Sequence, residues 1–174
     1  TGTAEIIQQK SADLVIAASA IIPKGHLGEP LCVTRFIPVT GQSSPLAQLD
    51  EIDQNELSQH LQLVIRDTAQ KPQENAGWLR AEQRWTVGSL ATAAAFVGSG
   101  LGFAWLPRHM IERELAEGVL KQLPLEQGGS RHPTFFLYSN KDKPLGPATQ
   151  ILVELLRTFD TAPLDAPFAA PRQA

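Results

Sequence analysis

The sequence contains a single cysteine, Cys32, among its 174 residues. One thiol excludes an internal disulfide and fits a reducing compartment, and its simplest role is that of a small buried side chain. The chain also lacks any apolar run of roughly 18 residues, the length that a membrane span requires. It does not open on a charged segment followed by an apolar one, as a signal peptide would. We therefore expect a globular cytoplasmic protein with no membrane partner.

Clusters of basic residues are missing as well. Lysine and arginine number 15 against 18 aspartates and glutamates, which gives a formal net charge of -3 at pH 7. Nonspecific nucleic-acid binding depends on basic groups that displace counterions, so the composition gives no reason to expect tight binding to a polyanion. Hydrophobic residues make up 43% of the chain, which is enough for a core in one ordinary domain or in two small lobes.

Residues that could support catalysis are scattered along the chain. The histidines stand singly, with no HxxxH pair and no cysteine partner that would indicate zinc: His26, His60, His109 and His132. The serines at positions 43, 44 and 99 lack the GxSxG pattern of a nucleophile elbow, although the members of a triad can also meet from distant positions. We predict that the chain is not an enzyme and has no metal site and no cofactor.

The clearest structural signals lie in residues 86–120 (TVGSLATAAAFVGSGLGFAWLPRHMIERELAEGVL). Ser89 is placed to cap a helix, because its hydroxyl can accept hydrogen bonds from the free N–H groups of the first turn. Glycines at residues 98–100 predict the end of that helix, since they tolerate the positive φ of a C-terminal cap. Residues 102–106 are short, apolar and aromatic, which favours a strand covered on both faces. A second helix is expected from Pro107.

The glycines at positions 98, 100 and 102 do not form a dinucleotide-binding fingerprint. Such a fingerprint needs a strand, then GxGxxG, then a helix, so that a helix N-terminus meets the pyrophosphate. In this chain the helix precedes the glycines and the strand follows them. A turn between two buried elements is the better interpretation.

The segments before this stretch predict a helix, a strand and a second, bent strand. Residues 3–10 fit a short helix, and residues 14–17 are all apolar, which favours a strand flanked on both sides in a parallel sheet. Residues 21–29 are rich in proline and glycine and predict a loop. We expect another strand over residues 36–39, in which Pro38 indicates a sheet edge or a bend.

Leu61, Leu63 and Ile65 alternate with Gln62, Val64 and Arg66, which is the period of a half-buried strand. The positions at the end of this strand are where open α/β sheets bind ligands. An exposed Arg66–Asp67 pair of little energetic weight is an equally good interpretation. Trp78 and Trp85 are expected to be packing anchors, because no basic groove accompanies them.

The C-terminal part of the chain predicts a buried strand over residues 134–139 and a helix that begins at residues 146–147. Apolar residues form one broad face of that helix, and Glu154 and Arg157 are expected to point to water. Prolines recur from residue 161 onward, so residues 161–174 are predicted to form a flexible, Pro-rich tail.

Residues 97–107 (VGSGLGFAWLP), followed by a helix and then by residues 117–120 (EGVL) and 123–125 (LPL), resemble the effector-binding domain of LysR-type transcriptional regulators. The resemblance runs from about residue 2 to residue 159. Further stretches are similar to the family's first-lobe strand and to its crossing into the second lobe: residues 12–16 (ADLVI), 30–31 (PL), 36–39 (FIPV) and 44–47 (SPLA).

The resemblance implies an α/β fold, namely a two-lobed, type 2 periplasmic-binding-protein-like effector domain that is N-terminally truncated. Residues 1–34 and 119–160 would form lobe I, which would be incomplete, and residues 35–118 would form lobe II. Compared with the family, the sequence begins after the winged helix-turn-helix and after the first strand and helix of the effector domain.

Carried over residue by residue, the resemblance implies effector contacts at both lobes. Thr3 matches the polar contact at the start of the first-lobe helix, and Ser89 matches a cleft position at the second lobe's helix start. Arg66, Asp67 and Thr68 match the strand end beside the cleft. A helix N-terminus favours an anion and an arginine offers a bidentate fork to a carboxylate, so we expect a small carboxylate effector. A plain helix cap is an equally good interpretation of Ser89.

The function implied by the resemblance is the sensing of a small metabolite in the cleft between the lobes. DNA would be contacted only through the N-terminal winged helix-turn-helix, and a homodimer or homotetramer is expected. Two other classes remain open. A type 2 solute-binding protein of a transport system would share the fold, and a two-lobed enzyme would need an acid, base or metal in the cleft.

Overall fold

A computed structural model of the chain describes residues 6, 12–18, 24–66 and 80–158. Within these residues the protein has mixed α/β architecture with one three-stranded and one five-stranded sheet. Ile6 is helical, but the rest of the predicted helix at residues 3–10 lies outside the described residues, as do Trp78 and the predicted tail at residues 161–174.

The described strands and helices follow one another along the chain. The strands are β1 Leu14–Ala17, β2 His26–Val33, β3 Phe36–Gly41, β4 Gln62–Ile65, β5 Arg84–Val87, β6 Phe103–Pro107, β7 Leu120–Gln122 and β8 Thr134–Asn140. The α-helices are α1 Gln54–Ser58, α2 Leu90–Gly98, α3 Glu112–Ala116 and α4 Pro147–Thr158, and short 3₁₀ helices lie at Pro45–Gln48 and Arg108–Met110.

The five-stranded sheet has the order β5-β4-β6-β3-β7 and carries packed side chains on both faces. On one face, Ala93 and Val97 of α2 pack against the sheet together with Ile37 and Leu106. On the other face, Phe103 packs in a second apolar cluster that includes side chains from α1 and from the Pro45–Gln48 helix. Strand β6 is therefore covered on both sides, as its short apolar sequence predicts.

The turn after α2 confirms the prediction that the glycines at residues 98–100 end this helix. Helix α2 begins directly after Ser89 and ends at Gly98, and Gly100 follows with φ +92°. Gly102 has φ +59°, and a Cβ there would collide with the carbonyl oxygen of Leu61. That carbonyl accepts a hydrogen bond from the Phe103 N–H at 2.9 Å, so the absence of a side chain lets β6 enter the sheet beside β4.

The first strand differs from its prediction. Strand β1 pairs antiparallel with β8, in the order β1-β8-β2, and β8 is its only strand partner among the described residues. Ile16 is 45% exposed. The apolar sequence of β1 thus reflects a strand at the sheet edge and not one flanked on both sides in a parallel sheet. An apolar composition alone could not distinguish an edge strand from an internal one, because apolar side chains suit both positions.

The prediction that Pro38 marks a sheet edge is wrong, because β3 lies between β6 and β7. The backbone N and C=O of one residue in an extended strand point to the same neighbouring strand. The Pro38 carbonyl accepts from the Leu123 N–H at 2.9 Å, whereas the β3–β7 pairs begin only at Val39. An N–H on Pro38 would therefore point toward β7, one residue before the β3–β7 pairs begin. Its absence removes no hydrogen bond to β6.

Two further predictions need correction. The loop expected over residues 21–29 gives way to β2 at His26, because Gly28 and Pro30 are accommodated in a strand that pairs with β8. Trp85 is 52% exposed on β5, which is the last strand of its sheet, and so it is not a buried anchor. Arg157 is exposed, as predicted, and it also forms a bidentate pair with Glu29, at 2.9 and 3.0 Å. Glu29 holds the pKa of the Arg157 guanidinium above its usual value through hydrogen bonding and charge.

The chain passes between the two sheets twice, and the two passages are hydrogen-bonded to each other. The β2–β8 ladder ends at the pair Val33–Thr134, and the N–H of Thr34 then donates to the Pro133 carbonyl at 3.1 Å. Phe36 and Arg131 exchange both of their backbone hydrogen bonds, at 2.8 and 2.9 Å. We refer to residues 33–36 and 131–134 together as the crossing ribbon.

We predict that Gly102→Ala lowers the free energy of unfolding by about 3 kcal/mol, because the new Cβ meets the Leu61 carbonyl and the backbone must keep a positive φ. Gly118→Ala is the matched control, since Gly118 has φ +71° but nothing within 4 Å of the added atom. That control should lose about 1 kcal/mol from backbone strain alone. Urea unfolding measures both values, and equal losses would contradict the close approach at Gly102.

Candidate functional site

The candidate site lies where β4 and β5 end. These strands are parallel and pair Ile65 with Val87, so both carboxyl ends meet at one edge of the five-stranded sheet. The N–H of Arg66 donates to the Val87 carbonyl at 2.8 Å, and Ser89 follows two residues after Val87. The structure therefore brings the backbones of Arg66 and Ser89 together at the strand ends, the place where α/β sheets bind ligands. The other predicted site residues, Thr3, Asp67 and Thr68, lie outside the described residues.

Ser89 is the N-cap of helix α2, as its position in the sequence predicts. Its backbone is extended, with φ -150° and ψ 159°, and its Oγ accepts a hydrogen bond from the Thr92 N–H at 3.1 Å. The same Oγ lies 2.9 Å from Thr92 Oγ1, and the Ser89 carbonyl accepts from the Ala93 N–H at 3.1 Å. Ser89 is exposed, so its hydroxyl is accessible while it caps the helix.

The electrostatics of this edge favour an anion. The first N–H groups of a helix have no intrahelical acceptor, and the helix dipole places partial positive charge there. The first turn of α2 contains no acidic residue that would balance this charge. Arg66 is exposed at the neighbouring strand end and adds a full positive charge. The arrangement can attract and orient a carboxylate or phosphate, but these two residues supply neither a nucleophile–base pair nor a metal ligand set.

An apolar groove begins one residue beyond Ser89 and was not foreseen from the sequence. It has a volume of about 360 Å³ and runs between α2 and the segment before α3, with Leu90, Ala94, Met110 and Ile111 among its lining residues. Glu114 is the only charged residue in its lining. The small residues of α2 leave the space open, but a run of alanines by itself does not indicate which helix face lacks a partner.

The structure shows no metal-ligand cluster in the part of the chain that it describes. No group of three or more His, Cys, Asp or Glu residues is close enough there to hold a metal ion. His60 Nε2 lies 3.2 Å from Glu56 Oε1, one helical turn earlier, and His26 Nδ1 lies 3.3 Å from the Lys24 carbonyl. Over the same residues no helix combines the length and apolar composition needed to span a membrane.

Comparison with known proteins gives one family and one fold. The family model of the LysR substrate binding domain matches residues 1–160. No curated protein matches the sequence. The regulatory domain of MetR, a LysR family regulator from N. meningitidis, is similar with a TM-score of 0.67 and 16% identity, over 90% of this chain and 74% of that chain.

Two further structures carry ligands. The Synechocystis PCC6803 CcmR regulatory domain in complex with 2-PG has a TM-score of 0.66 and 16% identity, over 88% of this chain and 76% of that one. Full-length LysG from Corynebacterium glutamicum with bound effector Arg has a TM-score of 0.65 and 14% identity, over 89% of this chain and 53% of that one. At these identities the likeness shows the shared fold.

We predict that Ser89→Ala lowers the free energy of unfolding by about 1 kcal/mol, because the Thr92 N–H loses its acceptor. Ser89→Asn and Ser89→Asp should retain most of the stability, since both side chains cap helices. Ser99→Ala is the control at the other end of α2, where the hydroxyl only donates to the Phe96 carbonyl at 2.7 Å. Chemical denaturation that shows no difference between the Ser89→Ala and Ser99→Ala proteins would contradict the capping role.

Proposed function

Because this chain belongs to the LysR substrate-binding domain family, we propose that it senses a small carboxylate-bearing effector on behalf of a transcriptional regulator. Its fold is the mixed α/β, two-sheet, type 2 periplasmic-binding-protein-like fold of LysR effector domains. The family consists of regulators rather than enzymes. The observation that carries the carboxylate proposal is the juxtaposition of Arg66 with the uncompensated N-terminus of α2.

The proposed effector site comprises Arg66 and Ser89, together with Thr3, Asp67 and Thr68. Arg66 would supply a bidentate guanidinium for the carboxylate, and the first turn of α2 would supply N–H donors. Ser89 would keep its cap and offer its exposed hydroxyl at the rim of the site. The proposed role of this set is binding without catalysis.

The comparison structures support a small-molecule role in general terms. CcmR holds 2-PG and LysG holds Arg as a bound effector. Those ligands belong to those proteins, and the class proposed here follows from the charges at the end of β4 and at the start of α2. The type 2 solute-binding protein considered above is not favoured, because both the family model and the similar structures are those of LysR regulators.

We propose that residues 1–34 and 119–160 form one lobe, that residues 35–118 form the other, and that the effector binds between them. The distribution of the strands supports two lobes, since the three-stranded sheet is built from β1, β2 and β8 and the five-stranded sheet from β3 to β7. It does not support the boundary at residue 118, because β7 (Leu120–Gln122) pairs with β3 and so belongs to the five-stranded sheet. We further propose a cytoplasmic homodimer or homotetramer in which DNA is bound by an N-terminal winged helix-turn-helix of the regulator. The net charge of -3 agrees with DNA contact lying outside these residues.

A panel of small organic acids, tested beside their neutral amides in a thermal-shift experiment, examines the proposed ligand class. We expect at least one acid to raise the melting temperature where its amide does not, since a ligand at about a hundred times its Kd stabilises the folded state by about 2.7 kcal/mol. Stabilisation by neutral compounds alone would contradict the carboxylate proposal.

Variants at the site sharpen this test. Arg66→Gln should abolish the response to the acid, whereas Arg80→Gln, which removes another exposed arginine, should retain it.

Ser89→Asp and Ser89→Asn form a matched pair, because both keep the helix cap but only aspartate repels an incoming carboxylate. We expect at least tenfold weaker effector binding in Ser89→Asp than in Ser89→Asn, as measured by titration calorimetry. Equal affinities would show that Ser89 does not contact the effector.

A further inference from the structure

The side chain of Arg131 stacks on the indole of Trp105. The guanidinium carbon lies 4.3 Å from the ring centroid, which is within the range of a cation–π contact. Arg131 belongs to the crossing ribbon, on the passage from the five-stranded to the three-stranded sheet, and Trp105 lies in the middle of β6. This contact therefore fastens the connection between the two sheets to the body of one of them.

Trp105 is itself held in place. Its indole meets the ring of Phe103 edge-on, with the centroids 5.7 Å apart and the planes at 71°. Phe103 is fully buried in the apolar cluster against which Trp105 packs. The surface offered to Arg131 is thus part of the core of the five-stranded sheet and not a mobile side chain.

Arg131 is engaged by its backbone as well as by its side chain. Its N–H and C=O both pair with Phe36, the first residue of β3, and the two passages of the ribbon meet there. Burial lowers the pKa of the Arg131 guanidinium from its usual value. Among the described residues Arg131 forms no ion pair, and Asp53, which lines the small cavity beside it, accepts the Glu56 N–H at the start of α1. The aromatic face is the main electrostatic partner that the structure gives to this partly buried charge.

The ribbon is the place where a change of angle between the sheets would concentrate. Beyond the Val33–Thr134 pair, three backbone hydrogen bonds join its two passages: Thr34 to Pro133, and Phe36 and Arg131 in both directions. A ribbon of two strands bends and twists more easily than a wide sheet. A side chain that fixes one passage to β6 limits that motion.

We propose that the Arg131–Trp105 contact is a clasp that fixes the angle between the three-stranded and the five-stranded sheet. The clasp acts through the geometry of the ribbon, so Arg131 is a positioning residue. The proposal concerns motion of the protein itself and does not depend on which ligand the chain binds. A partly desolvated cation–π contact shifts an equilibrium by about tenfold, which is enough to change how often the ribbon opens.

Pulsed electron paramagnetic resonance measures the distribution of distances between two spin labels, one beside each sheet, and this distribution broadens when the angle between the sheets varies. The full 174-residue chain carries Cys32→Ser to remove the native thiol, and labels are attached at Glu154→Cys in α4 and at Glu117→Cys after α3, both exposed positions. We expect one narrow distance distribution in this parent. Arg131→Gln and Trp105→Leu should both broaden it, because each removes one half of the clasp.

Conservative and control variants separate positioning from general stability. Arg131→Lys keeps the cation and Trp105→Phe keeps an aromatic face, so both should stay close to the parent distribution. Arg80→Gln removes an exposed arginine that donates to Gln54 at 2.9 Å and should leave the distribution unchanged. If Arg131→Gln does not fold, the distance distributions of Trp105→Phe and Trp105→Leu are compared in its place, and only that of Trp105→Leu should be broader than the parent's.

Amide hydrogen exchange gives a second readout. In Arg131→Gln, the amides of Thr34, Phe36 and the substituted residue should exchange about tenfold faster. The amide of Arg66, which donates to Val87 within the five-stranded unit, should not change. Uniformly faster exchange at both places, with an unaltered distance distribution, would show a purely structural contact and overturn the proposal. Equal broadening in Arg131→Lys and Arg131→Gln would overturn it as well.

Discussion

The architecture depends on a continuous pairing that runs out of one sheet and into the other. The β2–β8 ladder extends through Thr34 and Pro133 to the pair formed by Phe36 and Arg131, where β3 begins. Because the outgoing and returning passages are bonded to each other, the chain crosses between the sheets as one unit and not as two independent linkers. The position of the three-stranded sheet is therefore tied to the first residue of β3, and β3 lies inside the five-stranded sheet.

The five-stranded sheet supplies the rigid part of the molecule. Strand β6 is covered on both faces, and the glycine at position 102 lets β6 approach β4 closely enough for the Phe103–Leu61 hydrogen bond. The same packing fixes where β4 and β5 end and where α2 begins. This core therefore positions the candidate site. Arg66 and Ser89 are held by backbone hydrogen bonds even though their side chains are exposed. A binding site on such a scaffold needs little reorganisation when a ligand arrives.

Local signals in the sequence predicted the elements that depend on local chemistry. Ser89 caps α2 and the glycines after α2 form its end, both from rules that concern a few neighbouring residues. Ser89 and Arg66 were proposed as site residues from a resemblance to the LysR family, and the structure brings their backbones together; their role in binding stays a prediction. The proposed lobe boundaries also stay a prediction.

What could not be predicted depends on partners far away in the chain. Strand direction for β1 is set by β8, and the tolerance of Pro38 is set by where β7 starts to pair. The stacking of Arg131 on Trp105 joins two residues from different elements, and neither shows a spacing or composition that would mark it. Trp85 illustrates the converse error, since a large aromatic residue on a strand indicates burial only when another layer covers that strand.

The pairing of β1 with β8 has a consequence for the order of biosynthesis. Leu14 pairs with Ser139, so the smaller sheet unites residues from near the beginning and near the end of the described chain. All described strands of the larger sheet have been synthesised once Gln122 has been translated, whereas β1 and β2 must wait for β8. Until then their edges are unpaired, and a nascent chain with open edges is a substrate for chaperones and for aggregation.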